Sequence, residues 1–181
     1  MLQPNLLLHA HEGRDATLTR LIHDIETALT EGAGNDKRIV AALQQAAAQP
    51  ELLNADQRRL QSHCYARHLI HGDPTGRFTI VAIVWGPVQF SPIHAHHAWC
   101  AYAICEGTLQ ETLYAWDPDG ARAKPVRTDD RPAGYGSYAR AGLDRIHRLG
   151  NAGAETAISI HVYGVECERV ATHVNRVVES V

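Results

Sequence analysis

His94 and His96 lie one residue apart in the segment GPVQFSPIHAHHAWCAYAICEG. On a strand, residues i and i+2 point to the same face, so a strand here aims both imidazoles one way and turns His97 the other. Two imidazoles on one strand make two ligands of a metal ion, and a third must come from elsewhere. Among the 12 histidines of the chain, His147 in IHRLGN is the best placed to supply it, on a strand that ends in a turn. The plain alternative is a pair of surface or core histidines on a strand, and the surrounding residues decide between the two readings. A second polar set, Ser159, His161 and Tyr163, alternates with Ile160 and Val162 in SIHVY and so shares one strand face. A half-buried strand turned to solvent is the plain reading of that pattern.

These residues need strands to hold them, and the sequence supplies them after a helical beginning. Asp15 is a candidate N-cap, followed by Leu18, Leu21, Ile22, Ile25 and Leu29 at the spacing of one helix face. Glu31 to Asn35 (EGAGN) stops that helix, and a second is expected from Asp36 to Gln49, before Pro50. A third, weaker pattern covers Ala55 to Cys64. From Arg77 the texture changes to short runs rich in β-branched and aromatic residues. These are RFTIVAIVW, AYAIC, TLQETLYAW, RAKPVRT, GSYAR, DRIHRL, TAISIHVYG and RVATHV. Gly, Pro, Asn and Asp punctuate them, and DPDG (Asp117 to Gly120) is a strong turn between two strands. Roughly eight short strands in about 100 residues point to an antiparallel sandwich or barrel. The expected architecture is mainly β: a helical cap over residues 1–64 on a barrel over residues 65–181, forming one domain.

The whole chain narrows the function classes. Apolar residues make up 45% of it, enough for a core, yet no run approaches the length of a membrane helix. The net charge of −3, with signs interspersed, leaves no basic stripe for nucleic acid or membrane surfaces. The apolar run near the N-terminus lacks a basic leader and is followed by His9, His11 and Glu12, so no signal peptide is expected. Cys64, Cys100, Cys105 and Cys167 show no CxxC pairing, which favours free thiols in a reducing, cytoplasmic setting. A small-molecule protein, monomeric or a small homo-oligomer, is the expectation.

The residues around the histidine pair resemble the two sequence motifs of the cupin family, and with them its double-sheet jelly roll. The first has Gly, HxH, three or four residues, Glu, six residues and Gly; here HxH is followed by three residues, Cys100, six residues and Gly107. The second has Pro-x-Gly, then a His, three residues and Asn; here Pro132-Ala-Gly134 precedes His147-Arg-Leu-Gly-Asn151. The Gly-to-HxH gap and the Pro-x-Gly-to-His gap are both longer than usual, as loop changes would make them. The glutamate that completes an ordinary cupin ligand set is replaced by Cys100. Three neutral imidazoles leave the +2 charge uncompensated and several positions open, which favours Fe(II) and an anionic, directly ligating substrate such as a thiolate. A metal ligated by Cys100 is the rival reading, set against the substrate space a permanent thiolate would occupy.

Over about residues 60 to 165 the chain is similar to the cysteine dioxygenase family, in four separate segments: YARHLI, FSPIHAHHAWC, IHRLGN and SIHVY. The resemblance implies a non-haem Fe(II) enzyme that uses O2 to oxidise a small carboxylated thiol to its sulfinic acid. It implies that His94, His96 and His147 hold the iron. It implies that Arg67, near Tyr65, binds the substrate carboxylate, and that Ser159, His161 and Tyr163 form a relay ending in a tyrosine beside the metal. In the animal members of that family an equivalent cysteine forms a thioether with the tyrosine, while many bacterial members have Gly there; the spacing of Cys100 from His96 matches the bacterial pattern, so a Cys100–Tyr163 thioether is left open. Arginine at position 67 goes with L-cysteine as substrate. Mercaptosuccinate, needing a second cation from Arg140, Arg145, Arg148 or Arg169, and 3-mercaptopropionate are the alternatives. A zinc or manganese cupin isomerase or hydrolase, or a non-catalytic ligand-sensing cupin, stands as the other class. His68, His71 and His97 are not expected as ligands. Trp85 and Trp99 are expected in the core or pocket wall, and Cys64, Cys105 and Cys167 as packing residues.

Overall fold

The run TIVAIVW, Thr79–Trp85, is buried at every position, and its two faces go to different places. Ile80, Ala82 and Val84 pack against the N-terminal helices, while Val81, Ile83 and Trp85 point into an interior between two sheets. A strand covered on both faces needs no polar alternation, so it reads as one apolar run. The other central strands of its sheet follow the same rule. Ala101, Ala103, Ile158, Ile160 and Val162 face the helices, whereas Cys100, Tyr102, Ile104 and Tyr163 face the interior.

In the computed structural model, which describes residues 4–32 and 34–180 with side chains from residue 13 onward, two helices precede ten strands. Helix α1 spans Pro4–Glu31 and α2 spans Asn35–Ala47. The strands are β1 (Ala66–Gly72), β2 (Thr79–Trp85), β3 (His94–His96), β4 (Cys100–Glu106) and β5 (Thr108–Asp117), then β6 (Arg122–Pro132), β7 (Gly136–Ala139), β8 (Gly142–Gly150), β9 (Ala157–Tyr163) and β10 (Asn175–Val177). They form two five-stranded antiparallel sheets, ordered β1-β2-β9-β4-β7 and β10-β3-β8-β5-β6. This is the cupin double-sheet barrel under an N-terminal helical cap. Leu21, Ile25, Ile39 and Leu43 fasten the cap to the first sheet. No helix among the described residues is long and apolar enough to cross a membrane.

Glycines of the expected motifs stand where the backbone takes the left-handed conformation that strains a side chain. Gly107 has φ of 73°, and a Cβ there would lie 3.0 Å from the Ala157 Cβ. Gly134, at φ of 85°, turns the chain from β6 toward β7.

Several local expectations are corrected. Helix α1 begins at Pro4, not after Asp15, and runs through Gly13 and an exposed Asp15. The Gly costs about 1 kcal/mol against Ala, too little to break a long helix fastened by its buried face. Helix α2 ends at Ala47, two residues short of Gln49. Ala55 to Cys64 is not a helix beyond a single 3₁₀ turn, Asp56–Arg58. Its hydrogen bonds go elsewhere: Gln57 Nε2 donates to the Leu69 carbonyl and Arg58 Nη2 to that of Pro50. The run RVATHV is no strand; the chain makes a 3₁₀ turn at Cys167–Arg169 and the last strand starts at Asn175. What was expected of Met1 to Gln3 and of Val181 lies outside the described residues.

Candidate metal centre

Strands β3 and β8 are neighbours, and their register sets His94 directly opposite His147. His96 follows on the same face of β3, while His97 is exposed beyond the strand end. The three imidazoles converge: one nitrogen of each lies within 4.8 Å of the others, and among the described residues this group comprises His94, His96 and His147. They are 6%, 2% and 5% exposed respectively. The Nδ1 of His94 bonds to the Pro92 carbonyl at 2.9 Å, and the Nδ1 of His147 to the Glu111 Oε1 at 2.8 Å. Both acceptors draw the ring proton to Nδ1, which leaves each Nε2 as a free lone pair. Burial, followed by the proximity of His147, lowers His94 to about 3 and His96 to about 2, so both rings are neutral at pH 7. Three converging imidazole nitrogens are what a divalent metal requires, and the residues fit one.

The cavity beside them is lined by Tyr65, Arg67, Ile83, Trp85, Cys100, Tyr102, His161 and Tyr163, among others. Arg67, on the edge strand β1, donates from Nη2 to the Tyr65 hydroxyl at 3.2 Å and lies 5.4 Å over that ring. Tyr65 in turn packs on Trp85, with ring centroids 4.6 Å apart. Ser159, His161 and Tyr163 all turn inward from β9. Trp85 Nε1 donates to Ser159 Oγ at 2.9 Å, and Ser159 Oγ meets His161 Nε2 at 2.8 Å. A fully buried hydroxyl must itself donate, and His161 Nε2 is the acceptor within reach; the His161 proton therefore sits on Nδ1. Between His161 and Tyr163 the contact is a ring stack, 5.8 Å between centroids at 28°.

Cys100 stands directly opposite Tyr163 across the β4–β9 pairing. Burial pushes the Cys100 thiol well up, and burial followed by Cys100 does the same to the Tyr163 phenol, so both keep their protons. Trp99 is partly buried outside the cavity, stacked on Tyr138. All four cysteines are free, but Cys64 is exposed and so is not a packing residue.

Two interior residues escaped the sequence reading. Glu111 is fully buried, at 0% exposure, and holds the third histidine. Its signal, a lone glutamate in the barrel strand TLQETLYAW, is indistinguishable from a solvated residue without the fold. Tyr102 lies opposite His161 in the β4–β9 register and stacks on it at 5.3 Å. Its hydroxyl has no hydrogen-bond partner among the described residues.

The molecule is thus a double-sheet barrel with a three-imidazole site and no carboxylate among the converging ligand atoms. The chain belongs to the cysteine dioxygenase type I family, whose model matches residues 10–175. Human cysteine dioxygenase type 1 is 29% identical over 110 residues, which cover 58% of this chain and 53% of the human protein. The chain thus spans about half the length, 53%, of the curated relatives it matches. Among solved structures, an uncharacterized double-stranded β-helix protein from Klebsiella pneumoniae is 17% identical, with a TM-score of 0.47 over 66% of this chain and 93% of that one. A Cupin 2 conserved barrel domain protein from Salinispora arenicola is 19% identical, with a TM-score of 0.45 over 66% of this chain and 89% of that one.

Proposed function

We propose that this chain, as one domain, is an Fe(II) thiol dioxygenase that oxidises a small carboxylated thiol, L-cysteine first, to its sulfinic acid. The balance is one thiol and one O2 giving one sulfinic acid, with both oxygen atoms on sulfur. The observation that carries the reading is the buried three-imidazole cluster beside a cavity in which Arg67 is the lining cation. Fe(II) bound by His94, His96 and His147 would supply the open positions at which thiolate and O2 meet.

The remaining work falls to the chain's own groups. Arg67 offers a planar fork for a carboxylate, and Tyr65 beneath it limits the directions it can take. Tyr163 keeps its proton and can donate it as a hydrogen bond into the reacting region. Trp85, Ser159 and His161 form a buried series that fixes the ring against which Tyr163 packs. Cys100 lies opposite Tyr163, which supports a thioether between them of the kind the animal members of the family form. The four free cysteines fit a reducing compartment.

The cavity favours a single carboxylate. Arg145 donates to Ser137 Oγ at 2.8 Å, Arg148 lies 4.3 Å over the Phe90 ring, and Arg169 reaches Glu166 at 3.8 Å. None of these, nor Arg140, lines the cavity, so a second carboxylate such as that of mercaptosuccinate meets no cation there. The test is O2 consumption by Fe(II)-loaded protein against L-cysteine, 3-mercaptopropionate, mercaptosuccinate and cysteamine, with product mass measured. Thiol-dependent uptake with addition of two oxygen atoms supports the reading. Metal binding without uptake for any thiol would leave a cupin isomerase, hydrolase or ligand sensor in its place.

A further inference from the structure

Both carboxylate oxygens of Glu111 are engaged inside the barrel. Oε1 accepts from His147 Nδ1 at 2.8 Å and Oε2 from Arg131 Nε at 2.9 Å. Arg131, whose side chain is 11% exposed, also donates to Asp129 Oδ2 at 2.9 Å and lies 4.4 Å over the Tyr135 ring. The three groups come from three adjacent strands: His147 from β8, Glu111 from β5 and Arg131 from β6. Paired strands hold them in a row that runs from the sheet edge to the imidazole cluster.

Burying a carboxylate is costly unless it is paired and hydrogen-bonded, and a well-packed apolar residue serves stability as well or better. A glutamate in that position therefore calls for a reason beyond stability, and the contact with His147 supplies it. The three imidazoles are backed unequally: His94 by a backbone carbonyl, His147 by a carboxylate, and His96 Nδ1 by no partner among the described residues.

We propose that Glu111, held by Arg131, is a positioning residue that sets the metal affinity and ligand field of this site through His147. It fixes the His147 proton on Nδ1, aims Nε2 at the cluster, and strengthens that nitrogen as a donor. A carboxylate absent from the direct ligands thus acts from one residue behind them. The inference rests on the three-histidine metal reading and is independent of which thiol is oxidised.

The probe is Co(II) alone, titrated into wild-type protein, Glu111→Gln, Arg131→Gln and, as a control for general destabilisation, Asp73→Asn. Chelator competition gives affinity, the visible Co(II) spectrum gives ligand field, and metal-free melting temperature gives stability. Glu111→Gln keeps shape and is expected to bind Co(II) about 10–100-fold more weakly, with shifted bands. Arg131→Gln leaves the carboxylate without its far anchor and is expected to move affinity the same way by less. Asp73→Asn should lower the melting temperature and leave Co(II) affinity unchanged. Wild-type affinity and spectrum in Glu111→Gln would overturn the proposal, reducing Glu111 to a core ion-pair residue. The proposal is equally overturned if Glu111→Gln does not fold and Arg131→Gln binds as wild type. Failure of the wild-type protein to bind Co(II) overturns the metal reading and this inference with it.

Discussion

At Tyr163, burial and the neighbouring Cys100 keep the phenol protonated through the physiological range, so its useful property is the proton it presents. Tyr163→Phe removes that hydroxyl and almost no volume. Metal content is expected to stay at the wild-type level, while turnover slows or O2 use uncouples from sulfinate formation. Unchanged rate and coupling would make Tyr163 a packing residue. Arg67 calls for a different test, because it is exposed at the cavity edge and its charge is partly screened. Removing one partner of a charged, hydrogen-bonded pair costs about 2–5 kcal/mol, and exposure places Arg67 at the low end, roughly 30-fold. Arg67→Ala should therefore raise KM for carboxylated thiols about 30-fold and change cysteamine turnover little. Equal effects on both substrates would remove the carboxylate anchor from the account.

Single strand pairings decide which residues meet. Between β4 and β9 the register sets Cys100 against Tyr163 and Tyr102 against His161. Directly opposed residues hold their Cβ atoms about 4.5–5.5 Å apart, within reach of a sulfur–ring bond. Thioether formation removes one hydrogen from the thiol and one from the ring, with O2 as oxidant. After turnover with Fe(II) and thiol, peptide mapping should find the Cys100 and Tyr163 peptides joined and two hydrogens lighter. Cys100→Ser should abolish the joined species, and separate peptides throughout would count against it. Between β3 and β8 the pairing is irregular: His94 faces His147, but His96 already faces Gly142. That irregularity lets two residues of one short strand and one of its neighbour converge on a point.

Across the whole molecule, the cap and barrel are joined by an apolar face and by polar contacts, among them a clamp built on Asp73 and Arg77. Asp73 follows β1, and its carboxylate accepts from Thr75 Oγ1 at 2.6 Å, the Arg77 backbone N–H at 2.9 Å and the Arg77 guanidinium at 2.8 Å. The same guanidinium pairs with Glu26 on α1. The Arg77 hydrogen bond above all holds the Asp73 carboxyl well below its ordinary value of 3.8, although burial opposes it. A folded-state value below the unfolded one gives stability that is complete above about 3.8 and lost as pH falls through the folded value. Asp73→Asn should cost about 1–3 kcal/mol at pH 7, leaving the donors of Arg77 and Thr75 poorly matched. Its deficit against wild type should shrink in melts below pH 3.8. A deficit constant across pH would show that the carboxylate charge contributes nothing.

Most of the elements and the three converging histidines are legible along the chain without the fold. Alternation along SIHVY and HAH puts polar groups on single strand faces, and RFTIVAIVW has the β-branched texture of a strand. Strand periodicity is local, which is why it survives in one dimension. The start of α1 is hidden because Asp15 has the character of a cap, and the turn at Asp56–Arg58 because its side-chain hydrogen bonds run to β1 and to the segment around Pro50. Which strands are neighbours emerges from packing alone. The spacing between His96 and Cys100 leaves the Cys100–Tyr163 pairing open, since a shortened loop and a shifted strand look alike in one dimension. Glu111 is silent for the same reason: its partners His147 and Arg131 lie on two other strands, and an antiparallel register between distant segments is set by packing, not by spacing along the chain.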